Sequence, residues 1–340
     1  MPGLVPGIHA FAASHSWMAG TSPAMTTLKT ALLAAAVLFI TPSAHADEAF
    51  IVSQPAEMLS VVDLATDKVV ATLPIPGKPA GIAVSPDGRR AFVTSPDAHT
   101  LTIIDAATRT VTASIDVGGG PLGVAVHPSG SPIYVADWYQ HRIVVVEADG
   151  GRIVGTVETG LSPSGLAVTP DGALLVSADR DSDEVSLIET KSLKRVAQIK
   201  VGERPFGVTI NTEGTRAYTA NVASNDVSII DLATRTVVGT VKVGLRPYAV
   251  ALAGGRAFVT DQYDGTVSVF DVATLAKVAT ISVGEYPEGI ATSRNGKFVY
   301  VANWETNTIS VIDVATLKVV KDIDVADGPR AFGAFIRRTD

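Results

Sequence analysis

A repeat constrains this chain more than any other feature. An acidic residue ending a β-branched run falls at Asp63, Asp105, Glu147, Glu189, Asp231, Asp271 and Asp313, in steps of 42 residues broken once by a step of 40. A proline marker keeps the same spacing at Pro79, Pro121, Pro163, Pro205, Pro247, Pro287 and Pro329. Two independent markers on one period mean seven copies of one supersecondary unit between residues 47 and 340.

Each copy carries four β-rich runs; in the second they read AGIAVS, RAFVTS, TLTIID and TVTASIDV. The turn SPDG at 85–88 uses glycine for positive φ and is echoed by HPSG, TPDG, NTEG and SRNG. GGRAF, from residue 254, is two residues short and accounts for the single step of 40. The Asp-x-Ala-Thr segment is a second turn, in which Asp accepts from its own backbone two residues on.

No helical period of useful length follows residue 47. Four short antiparallel strands per copy predict an all-β, seven-bladed β-propeller of four-stranded antiparallel blades, 28 strands in all. The first strand of each blade lines the axis, where the sheets crowd together. That explains the small residue two places after each proline: Gly81, Gly123, Gly165, Gly207, Ala249, Gly289 and Ala331. FIVSQPAEMLSVVD near residue 50 is a blade without its first strand, and the terminal GPRAFGAFIRR is a first strand without its blade. Pairing them closes the ring through a C-terminal strand at about 329–337, leaving no open sheet edge.

YVAD, YTAN, FVTD and YVAN at the second-strand ends, followed by variants of N-x-(V/I)-S-(V/I)-I-D, resemble the YVTN β-propeller repeat family of YncE-like exported proteins. The resemblance covers essentially all of 47–340 and implies a binding platform with no one assigned role. The fourth repeat departs most, with LVSADRDSDEVSLIETKSL replacing the Asp-x-Ala-Thr turn.

The first 46 residues belong to a different logic. From Met25, a basic start (Lys29), an apolar run from Ala31 to Ile40 and Ala44-His45-Ala46 have the layout of a secretory signal peptide over 25–46. Ten apolar residues are too few to span a bilayer. Residues 1–24 read as an over-extended, disordered start, leaving one propeller domain at 47–340 that is periplasmic or secreted after cleavage near Ala46-Asp47. The chain has no cysteine, so disulfides, thiolate metal sites and covalent c-type haem are excluded. Lys29 is the one charged side chain before residue 47, so the mature domain carries 26 basic against 34 acidic groups, a net charge of −8. That opposes nonspecific attraction to nucleic acid or anionic membrane.

Antiparallel strands put the turn entering each first strand and the loop leaving each second strand on one face. There the copies stop matching. Lys78, Arg204, Phe206, Arg246, Tyr248, Tyr286, Glu288 and Arg330 stand beside the inner prolines; Trp138, Tyr139, Arg180, Tyr263 and Trp304 stand on the facing loops. The opposite face offers mostly PDG-like turns. Trp138 and Trp304 share one repeat position, where each either roofs its own blade or meets a ligand. Arg204 and Arg246, equivalent in adjacent blades, either clamp one anion at the channel mouth or pair with nearby acids. Asp137, Asp179, Asn221, Asp261 and Asn303 recur beside them as loop caps. His99 and His141 occupy a position shared with Asp183, Asn225, Gly265 and Asn307, the residue set of a left-handed turn and not of a catalytic base. His127 lies on the far face.

No Ser-His-Asp set, zinc-protease motif or phosphate-cradling loop stands in a fitting context. The leading expectation is a monomeric, non-enzymatic binding or scaffold propeller that engages a partner protein or small anionic ligand through the aromatic and arginine-lined face. No cofactor is expected. Hydrolases of lactones or esters occur among similar propellers, and that alternative would place a divalent cation at Asp261, Glu288 and Asn303. Single-stranded nucleic acid binding is a further alternative. Quinone-cofactor and haem-propeller enzymes rank lower, because the cysteines such sites use are missing.

Overall fold

The computed structural model describes residues 47–337. The expectations for residues 1–46, a signal peptide preceded by an over-extended start, lie outside the described residues. Seven sheets form, one per repeat. Blade 1 spans 48–74, blade 2 81–116, blade 3 121–158, blade 4 163–200, blade 5 205–242, blade 6 247–282 and blade 7 287–324. Blade 5 shows the common pattern: Pro205–Ile210, Arg216–Asn221, Asp226–Asp231 and Thr236–Lys242 pair antiparallel in that order outward from the axis.

Burial follows the same direction. The second and third strands are buried on both faces, because a neighbouring blade covers each side, whereas the fourth strands lie largely in solvent. The core is therefore divided among the inter-blade seams, filled by Phe92, Tyr134, Tyr218, Phe258 and Phe270 with the aliphatic side chains around them.

The first strands approach so closely that a side chain is excluded. A Cβ on Gly123 would lie 1.9 Å from the Ser164 carbonyl oxygen, and one on Gly207 2.5 Å from that of Tyr248. The pairing with the second strand slips between the proline and the residue three places on, in blades 3 to 7. This bulge is what lets the residue after each proline turn toward the axis.

The Asp-x-Ala-Thr turns form as expected. Asp105 Oδ1 accepts from Ala107 N at 3.0 Å and Thr108 N at 2.7 Å, and Asp63, Asp231 and Asp271 repeat both bonds. These bonds, first among them the one from the Thr108 N–H, hold the Asp105 carboxyl below its ordinary value.

Closure occurs as the ends of the sequence imply, with one refinement. Pro329 bridges Ser53, Arg330 N donates to Val52 O at 2.8 Å, and Ile336–Arg337 pairs antiparallel with Ala49 and Glu48. Between these points the chain leans across, and Phe332–Ala334 pairs parallel with Gly81–Val84 of blade 2. The closing strand is thus split, and the described residues hold 29 strands rather than 28. A polar clasp secures it: Arg337 donates to Glu48 at 2.7 Å, to Gly88 O at 2.7 Å and to Ala106 O at 3.2 Å, while Arg109 reaches the same Glu48 at 2.6 Å. No helix among the described residues is long and apolar enough to cross a membrane.

Candidate functional site

The residue following each inner proline projects toward the axis, and in blades 5 and 6 it is aromatic. Phe206 and Tyr248 stack with centroids 4.5 Å apart, and Phe332 of the closing strand completes the cluster at 4.9 and 5.4 Å. All three are buried. Trp138 leans against Phe206 at 6.2 Å, with the Arg180 guanidinium 5.4 Å from its ring centroid. Trp138 thus reaches inward to the axial cluster instead of roofing its own blade. The channel mouth at this end is filled by aromatic rings.

A buried polar chain flanks this plug. Arg330 donates to Tyr248 Oη at 2.9 and 2.7 Å and to Gln54 Oε1 at 3.1 Å, and it lies 3.2 Å from Glu288 Oε2. Glu288 Oε1 accepts from Gln262 Nε2 at 2.7 Å, and Gln262 Oε1 accepts from Arg246 Nε at 2.6 Å. Burial pushes the Glu288 carboxyl up, and the Arg330 charge opposes that shift. Arg246 is therefore committed to Gln262 and to Tyr263, whose ring centroid is 4.9 Å from its guanidinium carbon. Arg204 stands exposed in the adjacent blade and shares no partner with it.

Backbone geometry presents these side chains. Lys78, Arg204, Arg246 and Tyr286, each just before its proline, adopt positive φ between 53° and 60°. Side chains from the preceding hairpin pin such loops: Asp183 Oδ1 accepts from Arg204 N at 2.8 Å, Asn225 Oδ1 from Arg246 N at 2.8 Å, and Glu57 Oε1 from Lys78 N at 3.3 Å. His99, His141, Asp183, Asn225, Gly265 and Asn307 all have positive φ, as the residue set implies. His141 Nδ1 accepts from Ser162 N at 3.1 Å, and His99 Nδ1 bonds the Gly119 carbonyl. Both histidines tie one blade to the next. Lys78 also pairs with Glu57 at 3.8 Å.

The second-strand acids are buried caps. Asp261 accepts from Gly244 N at 2.9 Å, Ser268 Oγ at 2.7 Å and Thr266 Oγ1 at 3.0 Å. Asn303 donates to Thr308 Oγ1 at 3.0 Å and Ser310 Oγ at 2.9 Å. Glu288 is engaged by Arg330 and Gln262, while Asp261 and Asn303 each bond within their own blade. No group of three or more His, Asp or Glu among the described residues is placed to hold a metal ion. Desolvation pushes Asp179 up to about 6 against its hydrogen bonds from Ser186, Ser177 and the Gly160 N–H.

Around the sealed mouth the surface turns apolar. Tyr139 is 70% exposed, Tyr263 55%, Leu245 50%, Leu161 48% and Tyr286 40%. Every other exposed large apolar residue among the described residues lies on a fourth strand at the ring's perimeter. Tyr263, Tyr286 and the half-buried Trp304 form a continuous strip with centroids 5.6 and 6.3 Å apart.

Sequence reasoning missed Gln54, Gln262 and Phe332. A signal existed for the first two, since they occupy the repeat position of Trp138 and Trp304, directly after the last residue of the second strand. It also passed over the opposite end of the axis, where a cavity of about 1000 Å³ opens among the inner strands.

The family description "YNCE-like beta-propeller" matches residues 26–132 and 140–336. The chain belongs to the YNCE-like β-propeller family. A search of the curated proteins gives no match. Among solved structures, this YNCE-like propeller is similar to Kuenenia stuttgartiensis hydrazine synthase, at 22% identity and TM-score 0.69 over 75% of this chain and 89% of that one. It is similar to a functionally unknown protein from Desulfotomaculum acetoxidans at 16% identity and TM-score 0.72, over 84% of this chain and 99% of that one. A third similar structure is the dihydro-heme d1 dehydrogenase NirN in complex with DHE, at 17% identity and TM-score 0.65, over 83% of this chain and 64% of that one. At these identities the likeness is one of fold.

Proposed function

We propose that this YNCE-like propeller is an exported, periplasmic binding protein that docks a partner protein on the face around its sealed axis. One observation carries this reading. The mouth is plugged by Phe206, Tyr248 and Phe332, so that face offers a surface instead of a pocket, and five large apolar side chains stand exposed around it. Exposed tyrosine and leucine gathered on one face, where the perimeter exposes only valine and isoleucine, mark an interface. Tyrosine strips with stacked arginines supply rigid contact area at little entropic cost. Arg180 over Trp138 and Arg246 over Tyr263 stiffen the rings, and with Asp181 paired to Arg180 and Asp264, Glu285 and Glu305 nearby the patch has mixed charge that suits a partner surface of mixed charge. Export is supported by the leader-like residues 25–46.

A photo-crosslinking amino acid placed at Tyr263 or Tyr286, with Asn295 on the far face as control, tests the reading in cells that export the chain. A discrete crosslinked species is expected at both tyrosine positions and absent at Asn295. Equal crosslinking at all three, or none at the tyrosines, would sink it.

A further inference from the structure

The cavity at the other end of the axis is a cup. Its walls are the ends of the first strands, with Leu166, Val168, Ile210, Leu252, Ala291 and Thr292 half-open to it, and its floor is Phe332. At about 1000 Å³ it matches the upper size of small-molecule sites. Its rim is uneven. The one repeat shortened by two residues has its deletion here, where a tight Gly254-Gly255 hairpin with φ of 55° and 71° replaces the longer turn of the other blades. The shortened hairpin lowers the wall at blade 6.

Arginines flank that notch. Arg216 and Arg256 begin the second strands of blades 5 and 6 and line the cavity. Each is held by one bond to the next blade, Arg216 to Val272 O at 3.4 Å and Arg256 to Val314 O at 2.9 Å. A guanidinium has five N–H donors, so even with Tyr218 beside Arg216, and with Asp231 and Asp271 across the strand pair from the two arginines, donors remain on each fork to face a ligand. Arg294 also lines the cavity, and Glu213 is its one acid among the described residues. A cationic rim over low-dielectric walls, in a chain of net charge −7, concentrates anions.

We propose that the channel is a binding cup for an amphipathic monocarboxylate, admitted over the blade-6 hairpin, its apolar body between the inner strands and its carboxylate on Arg216 and Arg256. The site lies at the opposite end of the axis from the docking face and does not depend on that assignment.

Octanoate and 2-naphthoate, titrated calorimetrically into the full chain, are the probes. Saturable one-to-one binding of at least one is expected, with 1-octanol, which lacks the charge, binding tenfold or more weakly. Arg216→Ala/Arg256→Ala should weaken the carboxylate at least tenfold. Because Arg256 also holds a blade seam, Ala334→Trp is the second arm: it keeps both arginines and fills the cup, and it should abolish binding while the melting temperature stays near that of the parent. Tyr263→Ala/Tyr286→Ala should leave binding unchanged, which separates this site from the docking face. Failure of both carboxylates to saturate, or binding that survives Ala334→Trp, overturns the proposal.

Discussion

At the scale of single residues, the second-strand cap carries the most legible chemistry. Asp179 is fully buried, and desolvation lifts it from 3.8 to about 6. A carboxyl raised on folding contributes stability that is fully present below its unfolded value near 3.8 and is lost as pH rises through about 6. Asn221 and Asn303 fill the same position in other blades, so Asp179→Asn fits sterically. The variant should flatten the dependence of unfolding free energy on pH between about 4 and 6, by up to about 3 kcal/mol across the full titration. Urea titrations at several pH values measure this, and an unchanged slope would show that Asp179 does not titrate there. The inner glycines give a second prediction. Gly123→Ala drives a Cβ to within 1.9 Å of the Ser164 carbonyl and should cost about 3 kcal/mol, seen as a lowered urea midpoint. Both positions were readable in advance because the repeat aligns them. Phe332 was not, because a single blade gives no hint of which side chains meet across the axis, whereas Gln54 and Gln262 stood at the repeat position of Trp138 and Trp304 and were passed over.

At the scale of elements, the blades are joined by arginines that begin a strand and reach the following blade's turn. Arg90 reaches Ala148 O at 2.8 Å, Arg216 reaches Val272 O, and Arg256 reaches Val314 O. Arg337 in the closing strand does the same for Ala106 O and also meets the buried Glu48. Its neighbourhood decides its weight. Arg337→Ala leaves Glu48 with Arg109 as its cation and should cost about 3 kcal/mol in unfolding free energy. Arg90→Ala breaks a pair with the exposed Asp149 and should cost under about 1 kcal/mol. Chemical denaturation of the two variants side by side checks the order; equal losses would mean that Arg337 is not a clasp. The blades themselves were fully legible in the sequence, since strand period, turn residues and repeat length all agree. The split of the closing strand was not, because the parallel pairing of Phe332–Ala334 with blade 2 depends on how far the chain must lean to pass from one sheet to the next.

At the scale of the whole molecule, two chemically different ends share one axis. One is stoppered by rings and ringed with exposed tyrosine and leucine; the other is hollow and rimmed with arginine. Ring architecture was written in seven copies of two markers, yet which end stays open depends on side-chain size at a few axial positions. Closure is a property of the full ring. A chain ending at Gly328 lacks every pairing made by Pro329, Phe332–Ala334 and Ile336–Arg337, so it should melt well below the parent and aggregate through the bared edge Glu48–Ser53. Light scattering during a thermal ramp reads both; a truncated chain that melts with the parent would contradict the clasp. There is also a consequence in time. The residues that fasten the first sheet lie almost a full ring away along the chain, Arg337 meeting Glu48 across 289 positions, so that sheet stays unlatched until the far segment has emerged from the ribosome.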